Sequence, residues 1–140
     1  MITVTTFKWV PPFARGQVRD LRVRWALEEA GIPYQERLIT FEDKSTPQYR
    51  AIQPFGQVPA IEEDGLPLFE SGAIVLHIGE RSEALLPGDP YARARAVTWL
   101  IAALNAAPKS KTWSASASPP SPNGSPTTPT SKTASPPATS

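Results

Sequence analysis

Residues 57–71 read QVPAIEEDGLPLFES and predict two antiparallel strands followed by a helix. The pair Asp64-Gly65 lies between two apolar runs, and such a pair tolerates the positive φ angles that a two-residue hairpin turn requires. Pro67 lies inside the second run, where it cannot donate a ladder hydrogen bond, so we expect that strand at a sheet edge. Ser71 opens SGAIVLHIGER, whose apolar residues recur at helical spacing, so the segment predicts a helix beginning at Ser71.

Both ends of this stretch could offer backbone groups to a ligand. Glu70 and Ser71 stand at a predicted helix N-terminus, where free N–H groups attract anions. At the other end, a cis Val58-Pro59 bond would turn the Val58 N–H and C=O outward, unpaired and available. Only about 5–6% of X-Pro bonds are cis, so the spacing alone leaves both isomers open.

The residues before this stretch predict a β-α-β opening and a short second helix. We expect strands at 2–7 and 34–39, a helix at 18–30 and a short helix at 46–52. Gly31 follows the first helix at the position that favours a left-handed cap. A strand joined to a strand through a helix favours parallel pairing with a right-handed crossover.

The helix at 18–30 has apolar side chains on two sides. One stripe consists of Val23, Ala26, Leu27 and Ala30, and the other of Val18, Leu21 and Trp25. A helix that is apolar on two sides is predicted to lie between the sheet and a second layer. Asp20 and Arg24, four residues apart, are expected to pair across its exposed face.

Taken in order, these elements resemble the N-terminal domain of bacterial-type glutathione transferases, which has a thioredoxin-like fold. The resemblance runs from about Ile2 to Ala107. It implies an α/β domain over residues 1–83, with β-α-β-α-β-β-α order and a mixed four-stranded sheet. Residues 84–108 would then be a linker and the first helix of an incomplete all-helical domain, beginning with Asp89 as N-cap and Pro90 at the first helical position.

The resemblance implies glutathione as the co-substrate and assigns residues to bind it. In the family, the residue before the cis-proline pairs its backbone with the cysteinyl part of glutathione, and the E-S pair holds the γ-glutamyl end. These roles fall to Val58, Pro59, Glu70 and Ser71, with Gln57 assisting.

The family's usual thiol activator is missing from the matching segment. Glutathione transferases activate the thiol with a hydroxyl donor or a cysteine after strand one, but this chain has no Ser before Ser45, no Tyr before Tyr34 and no Cys. Gln17 or Arg19 falls at that place, and a guanidinium beside the positive helix end would favour a thiolate. The alternative is that Arg19 lies on the surface or pairs with Glu70. Arg15 is a weaker candidate for the glycyl carboxylate.

Composition excludes several classes of function. The net charge is +1 and no basic patch suggests nucleic-acid binding. The absence of cysteine excludes a protein dithiol and thiolate metal sites, and we expect no metal at Glu62 to Asp64, which are predicted to be solvated. His77 has no acid-base partner that the spacing identifies. No run of 18 apolar residues and no basic leader occurs, so we expect no membrane partner and a cytoplasmic location.

The composition changes abruptly at Lys109. Of residues 109–140, 9 are Ser, 7 Pro, 6 Thr and 4 Ala, so we predict that this tail is disordered. Because the apolar stripe of the last helix is unfinished at Leu104, we interpret the change as a truncation or frameshift near Pro108; the alternative is a genuine linker.

The functional hypothesis is a glutathione-binding domain that activates the thiol for transfer to a small electrophile. A homodimer is the family expectation, weakened by the missing helical domain. The alternatives are a non-catalytic, transferase-like interaction module and an inactive truncated product.

Overall fold

Four strands form one mixed sheet in the computed structural model, which describes residues 1–105. The strands are β1 (Ile2–Phe7), β2 (Tyr34–Ile39), β3 (Ala60–Glu63) and β4 (Leu66–Phe69), in the order β2-β1-β3-β4. Strand β1 is parallel to β2 and antiparallel to β3, and β3 is antiparallel to β4. The predicted mixed sheet is confirmed, with the proline-containing strand β4 at its edge.

The helices follow the predicted order with small shifts at their ends. They are α1 (Asp20–Ala30), α2 (Pro47–Arg50), α3 (Ser71–Gly79) and α4 (Pro90–Asn105), with 3-10 turns at Pro12–Ala14 and Asp43–Ser45. Helix α1 begins later than predicted because the bonds from Leu21 N–H to Val18 O and from Arg22 N–H to Arg19 O close tighter three-residue turns. None of the helices within residues 1–105 has the length and apolar character needed to cross a bilayer. The predicted tail lies outside the described residues.

The caps of these helices match the residue types at their ends. Gly31 ends α1 at φ 65°, in the left-handed region that glycine adopts without a Cβ clash. Thr46 caps α2 by accepting a hydrogen bond from Tyr49 N–H, and Asp89 Oδ1 accepts one from Ala92 N–H at 2.8 Å at the start of α4. The predicted Asp-Pro start of α4 is confirmed.

The two faces of the sheet bury separate apolar clusters. The larger cluster lies under α1 and α3 and contains Ile2, Val4, Val23, Ala26, Leu27, Ile61, Ile74 and Ile78. The smaller one lies on the α2 side and contains Ile39, Tyr49 and Ala60. Each fully buried aliphatic side chain contributes about 1.5–3 kcal/mol. The half-buried Val58 packs against the smaller cluster, which therefore also supports the segment that precedes β3.

The second apolar stripe of α1 faces α3 and α4. Trp25 lines two apolar cavities of about 240 and 380 Å³ together with Val75 of α3 and Leu100 of α4. At Gly72 of α3, a Cβ would lie 2.3 Å from Cδ1 of Leu104 in α4, so α3 and α4 approach each other closely there. The second layer predicted for α1 is thus supplied in part by α4.

The hairpin between β3 and β4 is tied to the end of α3 by charged side chains. Asp64 and Gly65 have φ angles of 50° and 84°, as the predicted two-residue turn requires. The Glu63 carboxylate accepts two hydrogen bonds from Arg81, one of them at 2.7 Å, and lies 3.1 Å from His77 Nε2. The expectation that these hairpin acids are solvated was wrong for Glu63 and also for Glu62, which pairs with Arg37, and His77 does have a carboxylate partner.

Hydrogen bonding to Arg81 holds the pKa of Glu63 at about 2, with a smaller contribution from His77 and some opposition from burial. Because this pKa lies below that of an unfolded glutamate, the interaction stabilises the fold fully above about pH 4.5. The stabilisation is lost as the pH falls toward 2.

We therefore predict that Glu63→Gln lowers the free energy of unfolding by about 1–2 kcal/mol at pH 7, a value discounted for the exposure of Arg81. The difference from wild type should vanish near pH 2 in urea titrations. The control Glu80→Gln breaks the more exposed pair with Arg93 and should cost less than about 0.5 kcal/mol. A Glu63→Gln deficit that is equally large at both pH values would contradict the ionic explanation.

Candidate functional site

An open cleft of about 320 Å³ lies between the segment that precedes α1 and the segment that precedes β3. It brings together four of the residues predicted for the site: Gln17, Arg19, Gln57 and Val58. Lys44, from the 3-10 turn after β2, lines the same cleft. Segments that are far apart in the sequence therefore place the backbone of Val58 in one cleft with the cationic side chains of Arg19 and Lys44.

Val58 provides the free backbone edge. The Val58-Pro59 peptide bond is cis, the isomer that the sequence left open. The β3 ladder begins only at Ala60, and within residues 1–105 neither the N–H nor the C=O of Val58 makes a hydrogen bond. Both groups can therefore pair with an extended backbone that enters the cleft.

Tyr49 supports this edge from the α2 side. Its hydroxyl donates a hydrogen bond to the carbonyl oxygen of Gln57 at 2.6 Å. Burial raises the pKa of Tyr49 to about 12, and the charge of Arg37 opposes this only in part. The hydroxyl stays protonated at neutral pH, so it can donate its hydrogen bond to the Gln57 carbonyl oxygen.

Gly56 allows the Lys44 turn to pack against the same segment. Its φ angle is 61°, and a Cβ there would lie 2.8 Å from the backbone carbonyl oxygen of Lys44. The Lys44 ammonium lies 5.8 Å from the centroid of the Phe41 ring. The sequence analysis did not identify Lys44 as a lining residue of this cleft; its basic side chain after the acids at 42–43 was the available signal.

Arg19 and Gln17 lie on the opposite wall of the cleft. Arg19 is the N-cap residue of α1 and is exposed, so the surface position considered as an alternative is observed. It forms no ion pair with any charged group in residues 1–105, so the pair with Glu70 is not observed. The Gln17 amide donates a hydrogen bond to the Phe13 carbonyl oxygen at 2.9 Å, which holds the preceding turn. Arg15 lines a different cleft on the far side of this segment.

Glu70 and Ser71 do not line the cleft, but they follow the end of β4 that lies beside it. Because Ala60 pairs with Phe69, the adjoining residues Pro59 and Glu70 leave the ladder at the same end. Glu70 precedes α3 at φ 66°, a conformation that costs a non-glycine residue on the order of 1–3 kcal/mol and that is frequent at binding sites. Ser71 is buried as the first residue of α3 and lines the cavity toward α1 and α4.

Residues 13–80, which include nearly all of this cleft, match the family model for the N-terminal domain of glutathione S-transferases. The chain carries a glutathione S-transferase N-terminal domain. The resemblance found in the sequence is thus confirmed, together with the thioredoxin-like fold. Within residues 1–105, this transferase domain has no group of three His, Asp or Glu side chains arranged to hold a metal ion.

Relatives of the transferase domain come from fungi, plants and bacteria. It is 39% identical over 95 residues to a glutathione S-transferase-like protein of Aspergillus terreus, covering 64% of this chain and 42% of the relative. It is 37% identical over 82 residues to a glutathione transferase of Zea mays, covering 56% of this chain and 37% of the relative. A theta class glutathione S-transferase from Xanthomonas axonopodis pv. citri, solved with glutathione bound, is 32% identical with a TM-score of 0.61. That match covers 74% of this chain and 48% of the solved chain.

This chain therefore spans less than half the length of each of these relatives.

The packing of Gly56 against the Lys44 turn leads to a prediction. Gly56→Ala and Gly31→Ala both place a Cβ at a positive φ, but only the former also meets a backbone atom, since no heavy atom lies within 4 Å at Gly31. We expect Gly31→Ala to lower the free energy of unfolding by about 1 kcal/mol and Gly56→Ala by about 2–4 kcal/mol in denaturant titrations. Equal losses for the two variants would show that the turn does not pack on Gly56.

Proposed function

We propose that the transferase domain binds glutathione in the cleft beside Val58 and activates its thiol for transfer to a small electrophile. The observation that carries the proposal is the unpaired backbone of Val58 lying in one cleft with Arg19 and Lys44. The glutathione bound to the related Xanthomonas enzyme supports the choice of ligand. The family match favours this function over a non-catalytic interaction module.

The ligand's chemistry fits the polar groups of the cleft. Glutathione is a tripeptide with two carboxylates, one ammonium and one thiol. The N–H and C=O of Val58 can form a pair of antiparallel hydrogen bonds with the cysteinyl residue, as in peptide recognition by strand addition. Lys44 supplies a cation for a carboxylate of the tripeptide. Glu70 and the N-terminus of α3 at Ser71 receive the γ-glutamyl ammonium and carboxylate.

With the cysteinyl residue held at Val58, the thiol points toward the start of α1. No Ser, Thr, Tyr or Cys occurs in residues 7–33, so no side-chain hydroxyl or thiol from α1 or the segment before it can interact with the sulfur. We assign this role to the Arg19 guanidinium and the positive end of α1, which lower the pKa of the bound thiol. Gln17 supplies a hydrogen bond to the thiolate.

The reaction that follows from a bound thiolate is nucleophilic. The sulfur donates an electron pair to an electrophilic carbon and a C–S bond forms. In a substitution, the leaving group departs with its bonding pair; in an addition, water protonates the neighbouring atom. Arg19 and the helix end stabilise the thiolate before attack, so no redox partner is needed.

The domain organisation proposed for the chain follows from the same elements. We propose that residues 1–83 form the glutathione-binding unit and that the region 84–108 begins a second layer; its described part, up to Asn105, holds a linker and α4. The close approach of Gly72 to Leu104 shows that α4 packs on the glutathione-binding unit through α3.

The first test is a calorimetric titration with glutathione. We expect saturable binding of one glutathione per chain, and a roughly tenfold loss of affinity for Ser71→Ala because a hydrogen bond to a charged carboxylate is lost. Ser82→Ala, three residues after the end of α3, is the matched control and should bind as wild type does. Absence of saturable binding to the wild-type chain would refute the proposed function.

The second test addresses activation of the thiol. We expect Arg19→Gln to raise the pKa of bound glutathione by about 1 unit, read from the ultraviolet absorbance of the thiolate as a function of pH. Arg95→Gln removes the same charge from the exposed surface of α4 and should leave that pKa unchanged. If the two variants titrate alike, Arg19 is not the activating group.

A further inference from the structure

Asp20 is a buried carboxylate that the proposed chemistry does not use. It is 4% exposed, and its Oδ2 accepts a hydrogen bond from Thr6 Oγ1 at 2.7 Å and lies 3.8 Å from Arg24 Nη1. The sequence predicted a pair between Asp20 and Arg24 across an exposed face; the pair exists, but the carboxylate is buried. Burial of a carboxylate is costly unless partners hold it, so its contacts fix its position closely.

The contacts of Asp20 connect three elements of the fold. Thr6 lies near the end of β1, and Asp20 is the first residue of α1, where the positive end of the helix favours a carboxylate. Arg24, one turn later, also pairs with Glu36 of β2 at 2.9 Å. The start of α1 is therefore tied to β1 by a hydrogen bond and, through Arg24, to β2 by an ion pair.

Asp20 and Arg19 face different clefts. Thr6, Asp20 and Arg24 line the second cleft, of about 380 Å³, together with Arg15 and Gly16. Arg19 and Gln17 line the glutathione cleft, and Val18 contributes to both. Residues 15–19 thus form a wall between the two clefts, and its end at α1 is held by the Asp20 side chain.

We infer that Asp20 is a positioning residue: bonded to Thr6, it fixes the first turn of α1 so that Arg19 and Gln17 face the glutathione cleft. The inference rests on the proposed function, since it concerns the groups assigned to the thiol. Asp20 acts through the neighbouring peptide and does not touch the ligand. The Thr6 hydroxyl holds the carboxylate, so removal of either group releases the turn.

The sign of the effect separates positioning from simple charge. Removal of a nearby carboxylate would by itself favour the thiolate, because a like charge is lost, and would lower the pKa of the bound thiol. If Arg19 instead leaves the cleft, a positive charge beside the thiol is lost, and the pKa of the bound thiol rises. We therefore expect Asp20→Ala to raise the pKa of bound glutathione by about 0.5–1 unit. A fall in that pKa would overturn the inference.

Thr6→Val removes the hydrogen bond without a change of charge, and it keeps the test decisive if Asp20→Ala does not fold. We expect Thr6→Val to raise the thiol pKa by a similar amount while the affinity for glutathione changes less than about threefold, and Thr6→Ser to restore the wild-type value. The matched control is Thr3→Val, which removes a β1 hydroxyl that accepts a hydrogen bond from Gln35 at 2.9 Å. Equal pKa shifts in the Thr6→Val and Thr3→Val proteins would overturn the inference.

Amide hydrogen exchange without glutathione distinguishes failure of the inference from failure of the proposed function. In the Thr6→Val protein, amides of residues 17–24 should exchange about three- to tenfold faster than in wild type, whereas Thr3→Val should leave them unchanged. If wild type binds no glutathione but this exchange pattern holds, the proposed function fails and the anchoring of the turn stands. If exchange is unchanged in Thr6→Val, the anchoring fails whatever the ligand.

Discussion

The site depends on where the ladder of β3 stops. Strand β3 is paired on both sides, with β1 and with β4, but the pairing begins at Ala60. Pro59 has no N–H to extend the ladder, and Val58 leaves the sheet with both backbone groups unpaired within the described chain. A sheet edge of one residue is too short to recruit another strand, yet it is long enough to hold the backbone of one ligand residue. Tyr49 holds this edge through the Gln57 carbonyl oxygen, and Gly56, which lines the cleft, lets the Lys44 turn pack beside it.

Local patterns in the sequence were sufficient for the elements that surround this edge. The Asp64-Gly65 turn, the glycine cap at Gly31 and the Asp-Pro start of α4 each arise from the conformational preferences of one or two residues, and such preferences are visible without the fold. The order of strands and helices followed from the same patterns, because right-handed crossovers and short hairpins leave few ways to arrange them. Residues such as Val58 and Arg19 could be placed near each other only through the family resemblance.

Interactions between distant residues were the part that the sequence did not reveal. Glu63 appeared to be one of three solvated acids, yet Arg81 and His77 meet it from the end of α3. Asp20 appeared to lie on an exposed helical face, since a helical wheel contains no information about Thr6 on the preceding strand. Lys44 enters the cleft only because the turn after β2 packs on Gly56. In each case, the partner is set by tertiary packing and not by spacing along the chain.

Activation of a thiol by a guanidinium requires a different kind of support from activation by a hydroxyl. A hydroxyl donor stabilises a thiolate through one short, directed bond, whereas a cation acts over several ångströms and is weakened by water and salt. Arg19 is exposed. The pKa shift proposed for a bound thiol therefore depends on a ligand that excludes water and on a backbone that holds the guanidinium at the cleft. The ion pairs of Arg24 with Asp20 and Glu36 lie on the other side of the same turn, where they anchor the helix without neutralising Arg19. The carboxylate proposed as the anchor and the cation proposed as the activator belong to adjacent residues but face different clefts, so Asp20 forms its ion pair with Arg24 and not with Arg19.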